Sequence, residues 1–407
     1  MVDGPIVIVG ASMAGGRAAE AIRAAGYEGP VTLLGDEPVQ PCERPPLSKE
    51  FLRGEQAISK AFLRPEEWYR ENDIELMLDV RAQSVSVRDH TVSLADGAVL
   101  PWEKLLFATG ARPRLLSAPG GDAPGVLTLR RIEDAIAIAD HLKPGARVVV
   151  IGAGFIGAEV AASARAMGCE VTLVEMLAAP LQRALGEQVG AVIAQVHRDN
   201  GVMVRLGVDV ARIQSDTWVR SVELQDGNVL DADVVIAGVG VEPNVELAVD
   251  AGVACDDGII VNEFCETGTA GIFAAGDVAN HPNPILGARI RIEHWQNAQN
   301  QGAAAGKVMA GVREPFSEVP WFWSDQYDLN IQMAGHPVRW DRLVVRGSLD
   351  ERKGCVFYLD GDRLVAAVGL NAGKDVRAAR TLIAAAITPS DVELADLSTD
   401  LRALAKR

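Results

Sequence analysis

The chain has 407 residues, 48% of them hydrophobic, which is enough for two to four domains of about 100–200 residues each. Its 39 basic and 55 acidic residues give a net charge of −16, which argues against non-specific binding to nucleic acid. No apolar run reaches the roughly 18 residues of a membrane helix, and the five scattered cysteines form no CxxC pair. We therefore expect a cytoplasmic protein with no metal site, no nucleic-acid partner and no membrane association.

The first predicted unit is a strand, a glycine-rich turn, a helix and a second strand. An Ile-Val-Ile-Val run at residues 6–9 precedes the turn G-A-S-M-A-G, which begins with Gly10 and ends with Gly15. Glycines at such a turn let the backbone approach a pyrophosphate at the start of the helix. Ser12 replaces the second glycine with another small residue. Asp36, which follows the second strand, is predicted to bind ribose hydroxyls.

The same pattern returns in the middle of the chain. A second short apolar strand is followed by a turn that carries Gly152, Gly154 and Gly157. Glu175 stands at the end of the next strand, where a carboxylate accepts hydrogen bonds from a ribose diol and repels a 2′-phosphate. This predicts a preference for NADH over NADPH. Arg183 keeps the alternative open, because an arginine can pair with a phosphate.

Each unit continues with the same hairpin and closing strand. An Asp-Gly turn at residues 96–97 and another at 226–227 predict the two hairpins. The closing strands end in Thr109-Gly110 in the first unit and at Gly240 in the second. Because the whole pattern is duplicated, the sequence predicts two dinucleotide-binding domains.

Proline breaks after both closing strands indicate the domain boundaries. The fold class that we predict is α/β, with two Rossmann-like dinucleotide-binding domains of the glutathione reductase type and a C-terminal α+β domain. The predicted ranges are 1–112 and 242–315 for the first domain, 113–241 for the second, and 316–407 for the third. Gly276 and Asp277 end a short strand of the first domain, where the aspartate is predicted to bind hydroxyls of a dinucleotide.

Together these motifs resemble the FAD/NAD(P)-linked pyridine nucleotide-disulfide oxidoreductase superfamily. The segments E-R-P-P-L-S-K at 43–49 and P-W-F-W-S-D-Q at 320–326 are similar to those of ferredoxin reductases of bacterial oxygenase systems. That group includes putidaredoxin reductase and biphenyl dioxygenase ferredoxin reductase. The resemblance covers essentially the whole chain. It implies that hydride passes from NADH to FAD, and single electrons then pass to a [2Fe–2S] ferredoxin that serves a Rieske dioxygenase or a cytochrome P450.

The resemblance also implies site residues, carried over position by position. The implied FAD contacts come from Gly10, Ser12, Ala14, Gly15, Asp36, Arg44, Pro45, Lys49, Ala82, Thr109, Gly110, Arg130, Gly276, Asp277 and Trp295. The implied NADH contacts come from Gly152, Gly154, Ile156, Gly157, Glu159, Glu175, Arg183 and Gly240.

Lys49 and Glu159 are the implied catalytic pair, expected to meet beside flavin N5 with their charged groups within about 4 Å. The lysine would stabilise negative charge on reduced flavin. The glutamate would hold the lysine and orient the nicotinamide amide.

Three alternatives stay open. Trp321 and Trp323 belong either to the core or to a surface where the ferredoxin docks near the flavin. Cys42 would make the protein an NADH oxidase, a peroxidase or a CoA-disulfide reductase, although it lies about three positions before the expected place and has no CxxxxC partner. A different class is a flavin-bearing signalling protein.

Overall fold

The computed structural model describes residues 4–406, and its internal contacts divide the chain into two units. Unit 1 contains residues 4–43, 58–112 and 243–321, and unit 2 contains residues 44–57, 113–242 and 322–406. The predicted first domain begins at residue 1 and the predicted third domain ends at residue 407, and both of these residues lie outside the described part. Within residues 4–406, no helix combines the length and the apolar character that crossing a membrane requires.

Unit 1 is built on a parallel sheet. Its strands are β1 (Ile6–Val9), β2 (Val31–Leu34), β3 (Ile74–Met77), β7 (Lys104–Phe107) and β19 (Ile272–Ala274). They follow the order β19-β7-β1-β2-β3. All four residues of β1 are buried, as expected for a central strand that is covered on both faces.

Two helices of unit 1 pack closely through small residues. They are α1 (Met13–Ala24) and α7 (Trp295–Met309). A Cβ atom at Gly302 would lie 2.3 Å from the carbonyl oxygen of Ala14, and one at Gly306 would lie 2.4 Å from that of Ala18. Glycine is therefore required at both contacts, which fixes α7 against the start of α1.

The other elements of unit 1 surround this sheet and helix pair. The helical ones are α2 (Glu66–Glu71), α6 (Glu246–Asp250) and a 3₁₀ turn at Ile58–Lys60. An antiparallel sheet consists of β4 (Ala82–Ser86), β5 (Thr91–Leu94) and β6 (Val99–Pro101), and a second small sheet consists of β18 (Ile259–Ile260), β20 (Ala279–Asn283) and β21 (Ala288–Arg291). The short strands β8 (Ala111–Pro113) and β17 (Val241–Pro243) lie where the chain passes from one unit to the other.

Unit 2 repeats the parallel arrangement. Its strands are β9 (Val126–Leu127), β10 (Arg147–Ile151), β11 (Glu170–Glu175), β12 (Met203–Leu206) and β16 (Val234–Ala237), in the order β12-β11-β10-β16-β9. An antiparallel sheet is formed by β13 (Val210–Ser215), β14 (Val219–Leu224) and β15 (Val229–Asp231). The helices are α3 (Ile132–His141), α4 (Phe155–Ala166) and α5 (Gln182–Asp199), and a 3₁₀ turn occupies Pro45–Ser48.

The C-terminal part of unit 2 is an antiparallel sheet with helices. Its strands are β22 (Trp321–Gln326), β23 (Leu329–Gly335), β24 (Arg342–Ser348), β25 (Lys353–Asp360) and β26 (Arg363–Leu370), in the order β22-β23-β26-β25-β24. The helices are α8 (Gly373–Ala384), α9 (Asp391–Ala395) and α10 (Leu401–Leu404). Buried residues of α5 such as Val189 and Ile193 share a core with Ile331 and Val356 of this sheet. The predicted α/β class, with two Rossmann-like folds and a C-terminal α+β part, is confirmed.

Candidate functional site: two glycine turns and a buried ion pair

The first glycine turn, between β1 and α1, has the shape of a pyrophosphate cradle. Gly10 has a φ of +120°, and a Cβ atom there would lie 2.1 Å from the carbonyl oxygen of Ala108. A Cβ atom at Gly15 would lie 1.9 Å from the carbonyl oxygen of Gly10. Within the described residues, the N-cap Ser12 does not use its side chain to cap α1. The first amides of α1 are therefore available for an anion, and the turn fits a dinucleotide phosphate.

Gly276, which precedes Asp277, reaches the same turn from a distant part of the chain. A Cβ atom at Gly276 would lie 2.8 Å from Cβ of Ala14. The Gly276 amide donates to Oε1 of Gln301 at 2.9 Å. The structure thus brings together two segments that the sequence analysis assigned to one dinucleotide.

The remaining predicted residues of unit 1 lie at separate places around its sheet. Asp36 is exposed just after β2, and Ala82 is buried at the start of β4. Trp295 begins α7 and packs against the core cluster that contains Met13 and Ala14. The Thr109 hydroxyl, next to Gly110, donates to the backbone carbonyl of Asn244 at 2.7 Å.

The second glycine turn, between β10 and α4, repeats the first. A Cβ atom at Gly152 would lie 2.4 Å from the carbonyl oxygen of Gly238, and one at Gly157 would lie 1.9 Å from that of Gly152. At Gly154 the nearest atom would be 3.9 Å away, so this glycine leaves open space over the turn. That space is what a pyrophosphate needs to approach the backbone.

Glu175 is held by the second turn itself. Its side chain is buried at the end of β11, where Oε2 accepts from the Ala153 amide at 2.8 Å and Oε1 accepts from the Leu177 amide at 2.9 Å. Each carboxylate oxygen keeps a further lone pair for a ribose hydroxyl. The sequence indicated the acid but not these two bonds, which fix its orientation.

The other predicted NADH residues are in unit 2 as well. Ile156, in the first turn of α4, is 42% exposed. Arg183 is exposed at the second position of α5. Gly240 has a φ of +100°, just before β17.

Lys49 and Glu159 form a buried ion pair. Lysine Nζ lies 2.6 Å from Oε2 of Glu159, and the two residues are 5% and 4% exposed. Ser48 Oγ donates to the same oxygen at 2.5 Å. The predicted distance of about 4 Å or less is confirmed. Burial makes the pair mutually dependent, because either charge alone would be costly in this environment.

Residues 44–57 group with unit 2, whereas the sequence analysis placed them in the first domain. The reason is that Ser163 of α4 donates to the Ser48 carbonyl at 2.7 Å while Lys49 pairs with Glu159. The sequence analysis missed Ser48 and Ser163. Nothing in the local pattern distinguishes a serine whose hydrogen-bond partner is more than a hundred positions away.

Three predicted residues of unit 2 lie beside these contacts or near α3. Arg44 precedes the 3₁₀ turn, and Pro45 is its first residue. The Pro45 carbonyl accepts from Lys49 Nζ at 3.3 Å. The Arg130 amide donates to Asp134 at 2.9 Å.

The alternative residues differ in exposure. Trp321 and Trp323 are half-buried in β22, on either side of the buried Phe322. Cys42 is only 2% exposed and forms an isolated β-bridge with Phe62. None of the cysteines in the described part of the chain forms a disulfide.

Comparison with known proteins agrees with this arrangement. Residues 4–302 match the family described as pyridine nucleotide-disulphide oxidoreductase, and residues 321–405 match the family described as reductase C-terminal. A similar protein is the anthranilate 1,2-dioxygenase system ferredoxin--NAD(+) reductase component of Burkholderia cepacia, which is 42% identical over 98% of both chains. Rhodocoxin reductase of Rhodococcus erythropolis is 38% identical over 98% of this chain and 93% of its own.

The solved structures give the same result. The crystal structure of the covalent putidaredoxin reductase–putidaredoxin complex superimposes with a TM-score of 0.97 at 36% identity, covering 100% of this chain and 99% of that one. The family resemblance predicted from the sequence is therefore confirmed. This chain belongs to the pyridine nucleotide-disulphide oxidoreductase family, with a C-terminal domain of the reductase type.

Proposed function

We propose that this protein is an NADH-dependent ferredoxin reductase that uses FAD to pass electrons to a [2Fe–2S] ferredoxin. The observation that carries the proposal is the combination of two dinucleotide cradles with a buried Lys49–Glu159 pair in one chain. The relative from Burkholderia cepacia, a ferredoxin--NAD(+) reductase component, is 42% identical over almost the full length. FAD supplies the conversion between the electron pair of a nicotinamide and the single electron that an iron–sulfur cluster accepts.

The residues of each unit have separate roles in this proposal. In unit 1, the amides of the Gly10–Gly15 turn would bind the FAD pyrophosphate, and Asp36 and Asp277 would bind its hydroxyls. In unit 2, the Gly152–Gly157 turn would bind the NADH pyrophosphate. Glu175 would accept hydrogen bonds from a ribose diol, for which its two backbone bonds already orient it.

The Lys49–Glu159 pair is proposed to serve hydride transfer by charge and position. A lysine held at one place stabilises negative charge that develops on a reduced flavin without reorganising during the reaction. Glu159 keeps the ammonium group in that place through the 2.6 Å contact. It also stands in the second turn of α4, from which it would orient a nicotinamide amide.

The partner is proposed to be a ferredoxin that feeds an oxygenase, either a Rieske dioxygenase or a cytochrome P450. The half-buried Trp321 and Trp323 are the candidate docking residues. We further propose that the protein works in the cytoplasm.

The oxidase, peroxidase and CoA-disulfide reductase alternatives would need a reactive Cys42. A thiol with 2% exposure has little access to peroxide or to a disulfide substrate, and this disfavours that chemistry.

NADH-driven reduction of cytochrome c, with and without a [2Fe–2S] ferredoxin, tests the proposal. We expect a strong dependence on the ferredoxin and retention of most activity in Cys42→Ser. Cys255→Ser is the matched control, since Cys255 is half-buried in the same unit. Peroxide or disulfide reduction that needs no ferredoxin and disappears in Cys42→Ser would replace the proposal with the alternative.

A further inference from the structure

A chain of buried polar side chains continues from Glu159 into the C-terminal domain. Ser324 Oγ lies 2.7 Å from Oε1 of Glu159, and Gln326 Nε2 lies 3.2 Å from Ser324 Oγ. Oε1 of Gln326 lies 3.0 Å from Nε2 of His197. Nδ1 of His197 lies 3.1 Å from the Tyr327 hydroxyl. Ser324, Gln326 and His197 are each 0% exposed. We call Ser324, Gln326, His197 and Tyr327 the Ser324 chain.

The direction of every hydrogen bond in the Ser324 chain follows from its first member. Glu159, paired with Lys49, is a carboxylate and can only accept, so the Ser324 hydroxyl donates to it. With its proton used, Ser324 must accept from the Gln326 amide nitrogen. The Gln326 oxygen then faces His197 and must accept from it.

These constraints place a proton on Nε2 of His197, and its lowered pKa leaves Nδ1 without one. Nε2 carries the proton and Nδ1 accepts from the Tyr327 hydroxyl, which is the neutral Nε2–H tautomer. Burial also lowers the pKa of His197 to about 4, so the ring stays neutral near pH 7. All four side chains thus point a donor toward Glu159.

The Ser324 chain is suited to positioning and not to proton transport. A side-chain amide stands in the middle of it, and an amide at neutral pH does not pass a proton on as a hydroxyl or an imidazole does. What the chain does supply is a donor of fixed direction for Oε1, while Lys49 and Ser48 hold Oε2. Both oxygens of the carboxylate are therefore held.

We propose that Ser324, held by Gln326 and His197, is a positioning residue for hydride transfer that fixes the Glu159 carboxylate and, through it, Lys49. This inference rests on the proposed reductase function. It gives the C-terminal domain a part in the first half of the reaction, in addition to any contact with the ferredoxin. The domain supplies Ser324 from β22 and thereby completes a site formed by residues 44–57 and α4.

The test is the rate of flavin reduction by saturating NADH in Ser324→Ala. We expect a roughly tenfold slower rate, about 1.4 kcal/mol, with unchanged FAD content. Ser348→Ala is the matched control, because Ser348 is at the end of β24 and its Oγ accepts from the amide of the exposed Glu351. In a Lys49→Met background, Ser324→Ala should lose the part of its effect that passes through Lys49.

The outcomes separate this inference from the proposed function. If NADH does not reduce the wild-type flavin, the reductase proposal fails. If the wild type is reduced and Ser324→Ala keeps the wild-type rate, or if its effect persists in full in the Lys49→Met background, the positioning role is overturned and the reductase stands.

Nitrogen NMR of the histidine side chains gives a second readout. We expect His197 as the neutral Nε2–H tautomer at about pH 7. A protonated ring or the Nδ1–H tautomer would overturn the direction of the Ser324 chain.

Discussion

The two dinucleotide folds of this protein share one backbone geometry and differ in what surrounds it. In both turns the last glycine lies against the carbonyl of the first, where a Cβ atom would come within 1.9 Å. In unit 1, the helix after the turn packs against another helix through Gly302 and Gly306. In unit 2, the corresponding helix carries Glu159, which accepts from Ser48 and Lys49, and Ser163, which donates to the Ser48 carbonyl.

This difference indicates that the first fold serves to bind a cofactor and the second serves to orient a substrate. The first fold uses its helix for apolar packing, which suits a cofactor that stays bound. The second fold uses its helix to present a buried charge pair, which suits a substrate that must be oriented at each turnover. The acidic residues that follow the second strand of each fold differ as well. Glu175 is buried and held by two backbone amides, whereas Asp36 is exposed.

The largest expected effect comes from adding a methyl group to the last glycine of each turn. Gly15→Ala should give a colourless protein, and Gly157→Ala should keep FAD but lose NADH-driven flavin reduction by roughly 100-fold or more, about 3 kcal/mol. The reason is the 1.9 Å approach at both sites. Flavin absorbance and stopped-flow rates measure the two outcomes.

Gly154→Ala is the control for that pair. Its new methyl group would have no atom nearer than 3.9 Å, so the melting temperature should stay near that of the wild type while NADH binds more weakly. Unchanged NADH kinetics in Gly157→Ala would remove the parallel between the two turns.

The next effect tests the charged helix of the second fold. Lys49→Met leaves Glu159 buried without its cation, which should lower the free energy of unfolding by roughly 3 kcal/mol. It should also slow flavin reduction with FAD still bound. Adding Glu159→Gln should recover stability but not rate. Denaturant melts measure the free energy of unfolding, and stopped-flow absorbance measures the rate of flavin reduction. A normal hydride-transfer rate in Lys49→Met would contradict the proposed role of the pair.

Each unit contains a histidine that is almost fully buried and has a lowered pKa. Burial lowers the pKa of His197 in unit 2 and of His281 in unit 1 from about 6.5 to about 4, and Arg289 adds to the effect at His281. Between these values the unfolded chain binds a proton that the native protein does not. Stability should therefore fall as the pH drops from about 6.5 to 4, by up to roughly 3 kcal/mol for each histidine.

Urea melts of His197→Phe and His281→Phe at several pH values assign this loss to the two units. Each variant should show a flatter pH dependence than the wild type. An unchanged slope in both would mean that other groups cause the acid sensitivity.

The smallest effect concerns cofactor choice in the second fold. We expect kcat/KM for NADH to exceed that for NADPH by roughly tenfold, since Glu175 would face the 2′-phosphate at a cost of about 1.4 kcal/mol. Glu175→Ala combined with Met176→Arg, at a residue that is 55% exposed, should narrow the ratio. Equal values in the unaltered protein would contradict the role of Glu175.

The fold was predictable because its pattern is local. In each fold, about 30 residues contain the apolar strands, the glycine turn and the acid after the next strand. Their spacing in the sequence is therefore enough to predict them. Gly276 lies just after β19, close to the end of the short strand that the sequence predicted, although the hydrogen bond from its amide to Gln301 was not foreseen.

The residues that support the site were not predictable, because their contacts join parts of the chain that are far apart in the sequence. Ser324 is 165 positions from Glu159, and the packing of the C-terminal sheet against α5 and of Phe322 against Phe155 brings them together. Residues 44–57 look like a continuation of the first domain until their contacts with α4 are known. A serine or a short proline turn has no sequence pattern that names such a partner.

The route of the chain between the units also has a consequence for synthesis. Lys49 leaves the ribosome 110 residues ahead of Glu159, a delay of roughly 5 to 20 s at ordinary elongation rates. Ser324 follows later still, and β19 of the first sheet is made only after the whole second parallel sheet. The nascent chain therefore carries an unpaired ammonium group until Glu159 is made and an unfinished first sheet until Ala274 is made. Unit 1 is complete only after residue 321, and unit 2 later still.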